Sequence, residues 1–139
     1  AEATLAEELQ IARQYLAIEQ LRLGTRLRLD WQLAADLPMQ IRMPRLTLQP
    51  LFENAVIHGI AGLPEGGEIE VVAKAADGRV QLTISNPLPP GNPTVGHGHA
   101  LDSIRRRLAL YYGAPASLTE TTDNGRFSIQ LGIPNEPAA

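Results

Sequence analysis

Three polar residues on one short apolar segment have side chains suited to holding a metal-nucleotide. Glu53 offers a carboxylate, Asn54 an amide and His58 an imidazole, all within residues 48–59. At about 100° per residue, the apolar residues of a helix in this segment share one arc, with Asn54 and His58 on one shoulder and Glu53 on the other. The segment therefore predicts a helix whose apolar side packs against the rest of the protein and whose other side carries the polar residues.

A glycine-rich stretch supplies a second chemical feature. Residues 96–101, Gly-His-Gly-His-Ala-Leu, open a predicted helix over residues 99–112. Backbone amides at a helix start carry partial positive charge and bind phosphate oxygens. The preceding residues 87–98 are rich in Pro and Gly and form a long connection, typical of a binding loop or lid. His97 and His99 have no third ligand nearby, so a zinc site is disfavoured.

Helical and strand patterns precede the segment of residues 48–59. Thr4 with Glu7 forms the pattern of a capping box, and Gly24 is a natural stop, which predicts a first helix over residues 4–23. Residues 27–33 alternate as a half-buried strand does. The connection from residue 38 to 44 then leads into the Glu53 helix, with Pro44 predicted in its first turn and Pro50 predicted to remove one hydrogen bond.

Two hairpins complete the expected sheet. Alternating residues flank Asp77-Gly78 and, near the end of the chain, Asn124-Gly125. The order is helix, strand, helix, hairpin, long loop, helix, hairpin. It predicts an α/β fold, a two-layer α/β sandwich whose mixed, largely antiparallel sheet has helices on one face.

Composition narrows the function classes. The 139 residues suit one domain with an ordinary core, and a net charge of −3 with mostly scattered basic residues gives no support for nucleic-acid binding. Without cysteine there is no disulfide or thiolate metal site. No apolar run reaches the roughly 20 residues of a membrane span. Because the chain opens in helical sequence without Met, we expect it to be a piece of a longer protein.

The motifs together resemble a known fold family. Glu53-Asn54-Ala55 with His58-Gly59 resembles the N box of the GHKL nucleotide-binding fold (the Bergerat fold), and residues 96–101 resemble its second glycine box. More narrowly, residues 15–22, Arg26-Leu27 and residues 48–59 resemble LytS-type sensor histidine kinases, and among these the alginate-regulator sensors. The resemblance covers nearly the whole chain.

The resemblance implies ATP and Mg²⁺ as cofactors and gives residues their roles. Asn54 would ligate Mg²⁺ bridging the triphosphate, Glu53 would orient a water or polarise the acceptor, and His58 would lie near the phosphates. These three are the implied catalytic residues. The implied cofactor-binding residues are Asn54, His58, Asn86, Gly96, Gly98, Ala100 and Arg105, the last within an Arg-x-Arg-Leu pattern that includes Arg107.

The chain departs from the family pattern at the adenine end and at two further positions. Where relatives carry Asp-x-Gly-x-Gly, this chain has residues 85–89, Ser-Asn-Pro-Leu-Pro, so the carboxylate that accepts from adenine is replaced by the amide of Asn86. A neutral acceptor makes a weaker hydrogen bond than a charged one. Ile57 replaces a Lys found in many relatives, and Ala100 replaces a glycine. These changes predict weakened nucleotide binding.

The function implied is that of the ATP-binding catalytic domain, residues 25–139, of a sensor histidine kinase. Residues 1–24 would be the end of its dimerisation helix. The parent would transfer the γ-phosphoryl of ATP to an upstream histidine and then to a response regulator, of the LytTR type. It would form a homodimer through upstream helices and place this domain in the cytoplasm below an inner-membrane anchor. His58, His97 and His99 lack the phosphoacceptor context, so this chain alone is not expected to autophosphorylate.

Other interpretations stay open. The first is a degenerate GHKL domain that serves dimerisation and regulator docking with weak or no ATP binding. An ATPase clamp of the gyrase or MutL kind is disfavoured by the short chain. The apolar stripe of the first helix suits packing on the domain or on a partner helix equally. Its Glu7 and Glu8 have the pattern of ordinary helix-start charges, and Arg106 that of a solvated face.

Overall fold

In the part of the chain that the structure describes, the architecture has three α-helices and seven strands. The computed structural model describes residues 1–89 and 98–135. The helices are α1 (Leu5–Leu23), α2 (Leu48–Ala55) and α3 (Gly98–Tyr112). The strands are β1 (Glu2–Thr4), β2 (Leu27–Leu33), β3 (Arg42–Pro44), β4 (Gly67–Ala76), β5 (Arg79–Pro87), β6 (Ser117–Asp123) and β7 (Arg126–Pro134). No described helix is both long and apolar enough to cross a membrane.

The main sheet has five strands in the order β2-β4-β5-β7-β6. Its β2–β4 pair is parallel and its other pairs are antiparallel. Both hairpins turn on residues with positive φ, Asp77-Gly78 at 56° and 73° and Asn124-Gly125 at 52° and 75°. Such two-residue turns match the twist of the strands they join. The predicted fold class and both hairpins are confirmed.

The first helix begins and ends where its local signals predict. The Thr4 hydroxyl accepts from the Glu7 amide at 3.1 Å, and the Glu7 carboxylate accepts from the Thr4 amide at 2.8 Å, which completes the capping box. Gly24, with φ of 60°, ends the helix. Hydrogen bonding to Thr4 also lowers the pKa of the Glu7 carboxyl.

One hydrophobic core lies between the helices and one face of the sheet. The apolar stripe of α1 is buried in it, so that stripe packs on the domain itself. The strands contribute alternate residues, such as Ile69 and Val71 of β4, while Glu68 and Glu70 face the other way. The buried residues of α1 are Leu5, Glu8, Leu9, Ala12, Leu16 and Leu23.

The connection before α2 differs from its prediction. Residues 42–44 form β3, which pairs antiparallel with β1 in a two-stranded sheet. Pro44 ends that strand, so its predicted place in the first turn of the next helix is wrong. The helix begins at Leu48, which puts Pro50 in the first turn, where amides have no intrahelical partner and no hydrogen bond is lost. Three-residue strands are too short to show an alternating pattern.

Candidate functional site

The helix that carries the predicted site is anchored as its pattern predicts. Leu48, Leu51, Phe52 and Ala55 of α2 are fully buried, and the Phe52 ring lies 5.6 Å from that of Trp31 on β2. Asn54 is nearly as buried, with 6% of its surface exposed. The amide therefore lies in a setting that excludes most water, where its hydrogen bonds and metal contacts gain strength.

Helical geometry changes at Val56, two residues after Asn54. Residues Val56–Ile60 form a π-helical turn, in which the Ala61 amide donates to the Val56 carbonyl at 2.9 Å. His58 lies in this turn and is partly buried, whereas Ile57 is 57% exposed. Wider turns of this kind occur often at functional sites because they re-aim side chains within a helix. The hydrophobic period predicts a helix here but not the change of its type.

The Glu53 carboxylate lies on the other shoulder of α2, close to α1. The Gln49 amide nitrogen donates to Glu53 Oε1 at 2.9 Å. On the facing helix, Tyr15 has its pKa raised to about 12, first by burial and then by the nearby carboxylates of Glu19 and Glu53. The Glu53 carboxylate therefore lies on the side of α2 that faces the middle of α1.

The predicted adenine end and the predicted metal end of the site meet at Gly59. Asn86 lies near the end of β5 with 1% of its surface exposed, and its amide nitrogen donates to the Pro87 carbonyl at 2.8 Å. A Cβ placed on Gly59 would lie 2.7 Å from the Asn86 Cβ and Cγ, closer than real contacts allow. Gly67 meets Pro87 in the same way. The absence of a side chain at Gly59 thus lets the two ends of the predicted pocket touch.

The predicted phosphate loop is described in part. Gly98 is the first residue of α3 and Ala100 lies in its first turn, which puts a helix start where the glycine box predicts one. Gly96 and His97 lie outside the described residues. The implied contacts of these residues with phosphate stay predictions.

The arginines of α3 make contacts within the protein. Arg105 donates to the Leu118 carbonyl at 2.9 Å, to Asp102 at 2.6 Å and to Glu120 at 3.1 Å, which ties α3 to β6. Arg107 donates to the backbone carbonyls of Arg45 and Leu46, just before α2. These contacts give Arg105 an anchoring role, and its implied contact with the nucleotide stays a prediction.

The contact of Glu8 with the start of α2 was not predicted from the sequence. Its carboxylate is 1% exposed and accepts from three successive backbone amides, those of Leu46 at 2.9 Å, Thr47 at 2.8 Å and Leu48 at 3.0 Å. The interpretation of Glu8 as an ordinary helix-start charge is wrong. A signal was present, because Glu8 lies three residues after Leu5 and four before Ala12, on the buried stripe of α1.

Nearly the whole chain is similar in sequence to part of several sensor histidine kinases. YesM of Bacillus subtilis is 32% identical over 96% of this chain and 24% of its own length. LytS of Staphylococcus haemolyticus is 32% identical over 95% of this chain and 25% of its own length. The chain thus spans about a quarter of the length of these relatives. No protein-family model matches it.

Solved structures agree on the fold. The catalytic domain of histidine kinase ThkA has a TM-score of 0.68 at 18% identity, covering 99% of this chain and 98% of that domain. Histidine kinase AdeS of Acinetobacter baumannii has a TM-score of 0.67 at 12% identity, covering 96% and 67%. The fold is that of a histidine kinase catalytic domain.

The chain is a homologue of sensor histidine kinases, LytS among them, over about a quarter of their length, and it has the fold of a histidine kinase catalytic domain. The finer resemblance to alginate-regulator sensors stays a prediction.

Proposed function

We propose that this chain binds Mg²⁺-ATP between α2 and the start of α3, as the catalytic domain of a sensor histidine kinase. The observation that carries the proposal is the burial of Asn54 on α2, one turn from His58, in a chain homologous to sensor histidine kinases. The bound nucleotide would supply the γ-phosphoryl group that the parent protein transfers to a histidine.

The side chains on α2 fit a metal-nucleotide. Mg²⁺ prefers oxygen ligands and takes few from the protein, since phosphates and water complete its octahedron. The Asn54 amide oxygen suits that single protein ligand without adding negative charge beside the phosphates. His58 lies four residues after Asn54, in the π-helical turn, and would contact phosphate. Glu53, which accepts a hydrogen bond from Gln49, would orient the acceptor.

A second candidate is a degenerate domain that keeps the fold for dimerisation and regulator docking. Two observations favour it. The Asn86 side chain is buried and donates to its neighbour Pro87, where family members present a carboxylate to adenine. Ile57 leaves an exposed apolar side chain where many relatives offer a lysine to the phosphates. Both changes weaken ATP binding.

Partners and location are inferred for the parent protein. ThkA has been crystallised in complex with the response regulator TrrA. For the parent of this chain we infer a response regulator of the LytTR type, a homodimer formed through upstream helices, and an inner-membrane anchor with this domain in the cytoplasm. Residues 1–24 would then be the end of the dimerisation helix, although α1 shares its core with residues 25–139.

Titration with a fluorescent ATP analogue, with and without Mg²⁺, separates the two candidates. Saturable, Mg²⁺-dependent binding is expected, and Asn54→Ala should weaken it by roughly ten- to a hundredfold, since a hydrogen bond or ligand to a charged group contributes about 1.5–3 kcal/mol. Asn135→Ala is the matched control, because residue 135 lies at the opposite end of the sheet from Asn86. Binding that is absent, or unchanged in Asn54→Ala, would favour the degenerate domain.

A further inference from the structure

Two charged residues from one stretch of chain contact opposite ends of the helix that carries the site. Glu8, in the first turn of α1, accepts from the amides of Leu46, Thr47 and Leu48 at the start of α2. Arg26, just after α1, donates to the carbonyls of Ala61 at 3.4 Å and Leu63 at 3.2 Å, beyond the π-helical turn. We call Glu8 and Arg26 the clamp residues.

The Glu8 contact replaces a local helix cap. The first amides of a helix lack intrahelical acceptors, and a side chain just before the helix usually supplies one. Thr47 occupies that position, but its hydroxyl donates to the Pro44 carbonyl at 2.7 Å and does not cap α2. A carboxylate 38–40 residues earlier in the chain supplies the acceptors, and its negative charge suits the positive end of the helix.

The backbone before α2 depends on this contact. Leu46 has φ of 60°, a left-handed conformation that is unfavourable for a residue with a Cβ. Glu8 accepts from its amide at 2.9 Å, and Arg107 donates to its carbonyl at 3.2 Å. Partners on both sides of Leu46 hold this conformation, as is required where backbone strain persists.

The Arg26 contact closes the other end. Its positive guanidinium meets carbonyls that follow the helix, where a cation is favourable. The chain then returns close to Arg26 at Gly66, where an added Cβ would overlap the Arg26 backbone. Glu8 and Arg26 therefore match the charge that each end of the helical segment presents.

We propose that the clamp residues position the α2 segment for nucleotide binding, so that a shift of α1 moves Glu53, Asn54 and His58 with it. The two residues lie at either end of α1, and the segment they hold carries the predicted metal and phosphate ligands. They are positioning residues and need not touch the nucleotide. The effect on affinity rests on the proposed function, whereas the effect on the helix does not.

Hydrogen exchange by NMR tests the positioning directly. In Glu8→Gln and Glu8→Ala, the amides of Leu46, Thr47 and Leu48 should exchange about five- to tenfold faster, the effect of losing a helix cap. Amides of the β4–β5 hairpin should keep their rates. Glu65→Gln is the matched control, because Glu65 is an exposed carboxylate. Glu8→Gln has nearly the size of glutamate and keeps one acceptor oxygen, so it serves if Glu8→Ala fails to fold.

Affinity for the fluorescent ATP analogue gives the second readout. Glu8→Ala and Arg26→Gln should each weaken binding about five- to tenfold, with smaller losses for Glu8→Gln and Arg26→Lys and none for exposed Arg106→Gln. Wild-type affinity in the clamp variants, or faster exchange spread evenly over the hairpin strands, would overturn the proposal. A wild-type chain that binds no nucleotide would instead overturn the proposed function, while the exchange rates still decide whether the clamp holds α2.

Discussion

The metal end and the adenine end of the candidate site are built in different ways. Asn54 and His58 lie on a helical segment whose ends are held by charged groups from α1 and from Arg26. Asn86 lies at the end of a central strand and is held by packing against Gly59. The metal end keeps the polar residues its family uses, while the adenine end has exchanged a carboxylate for a buried amide. The comparison predicts that the residues of the metal end can be kept while those of the adenine end change.

Gly59→Ala should have the largest effect, because it breaks the contact between the two ends. The new methyl group would lie 2.7 Å from Asn86 carbon atoms. Overpacking of this kind costs about 3 kcal/mol at the upper end of its usual range. Urea unfolding of the variant should show this loss, measured against the wild-type chain.

The double variant Gly59→Ala/Asn86→Ala tests the cause. Removing most of the Asn86 side chain makes room for the methyl group, so stability should partly return. Gly62→Ala is the control, since its Cβ would meet Pro89 at an ordinary 3.5 Å. Equal losses for the residue 59 and residue 62 variants would show that the Gly59–Asn86 contact does not set the geometry.

Asn86→Asp sharpens the comparison at the adenine end. The carboxylate gains the charge-assisted acceptor that adenine recognition uses in the family, and affinity for an ATP analogue should rise about fivefold. The same change removes the amide that donates to the Pro87 carbonyl, so the nucleotide-free chain should lose about 1–2 kcal/mol of stability. Binding titration and urea unfolding measure the two effects separately, and unchanged affinity would show that residue 86 does not face the adenine.

The smallest effect concerns Tyr15, which probes the position of Glu53. Burial and the carboxylates of Glu19 and Glu53 raise its pKa from 10.0 to about 12 in the folded chain. Because the unfolded state loses the phenolic proton first, this residue's contribution to stability is complete below pH 10 and is lost as the pH rises to about 12. Glu53→Gln should let Tyr15 ionise at lower pH.

Ultraviolet absorbance of the phenolate measures this shift. Tyr111→Phe/Tyr112→Phe is the necessary background, since burial raises the pKa of those two tyrosines as well. An unchanged Tyr15 titration in Glu53→Gln would place Glu53 away from α1.

Most of the fold could be predicted from local sequence signals. Thr4 with Glu7, Gly24 and the two turns Asp77-Gly78 and Asn124-Gly125 each act within a few residues, and all are confirmed. The site's own residues were visible as polar interruptions of an apolar helix. Features made by distant segments were not visible, because no pattern links residue 8 to residue 46 or residue 59 to residue 86. The pairing of β1 with β3 was missed for the same reason.

The β4–β5 turn has a practical consequence. Asp77-Gly78 lies at the far end of β5 from Asn86, with Gly78 roughly 26 Å away at about 3.3 Å per strand residue. A Cβ on Gly78 would meet nothing within 4 Å. A dye, an affinity tag or a surface linker attached there would lie at the opposite end of β5 from Asn86, which makes this turn a suitable handle for immobilising the domain.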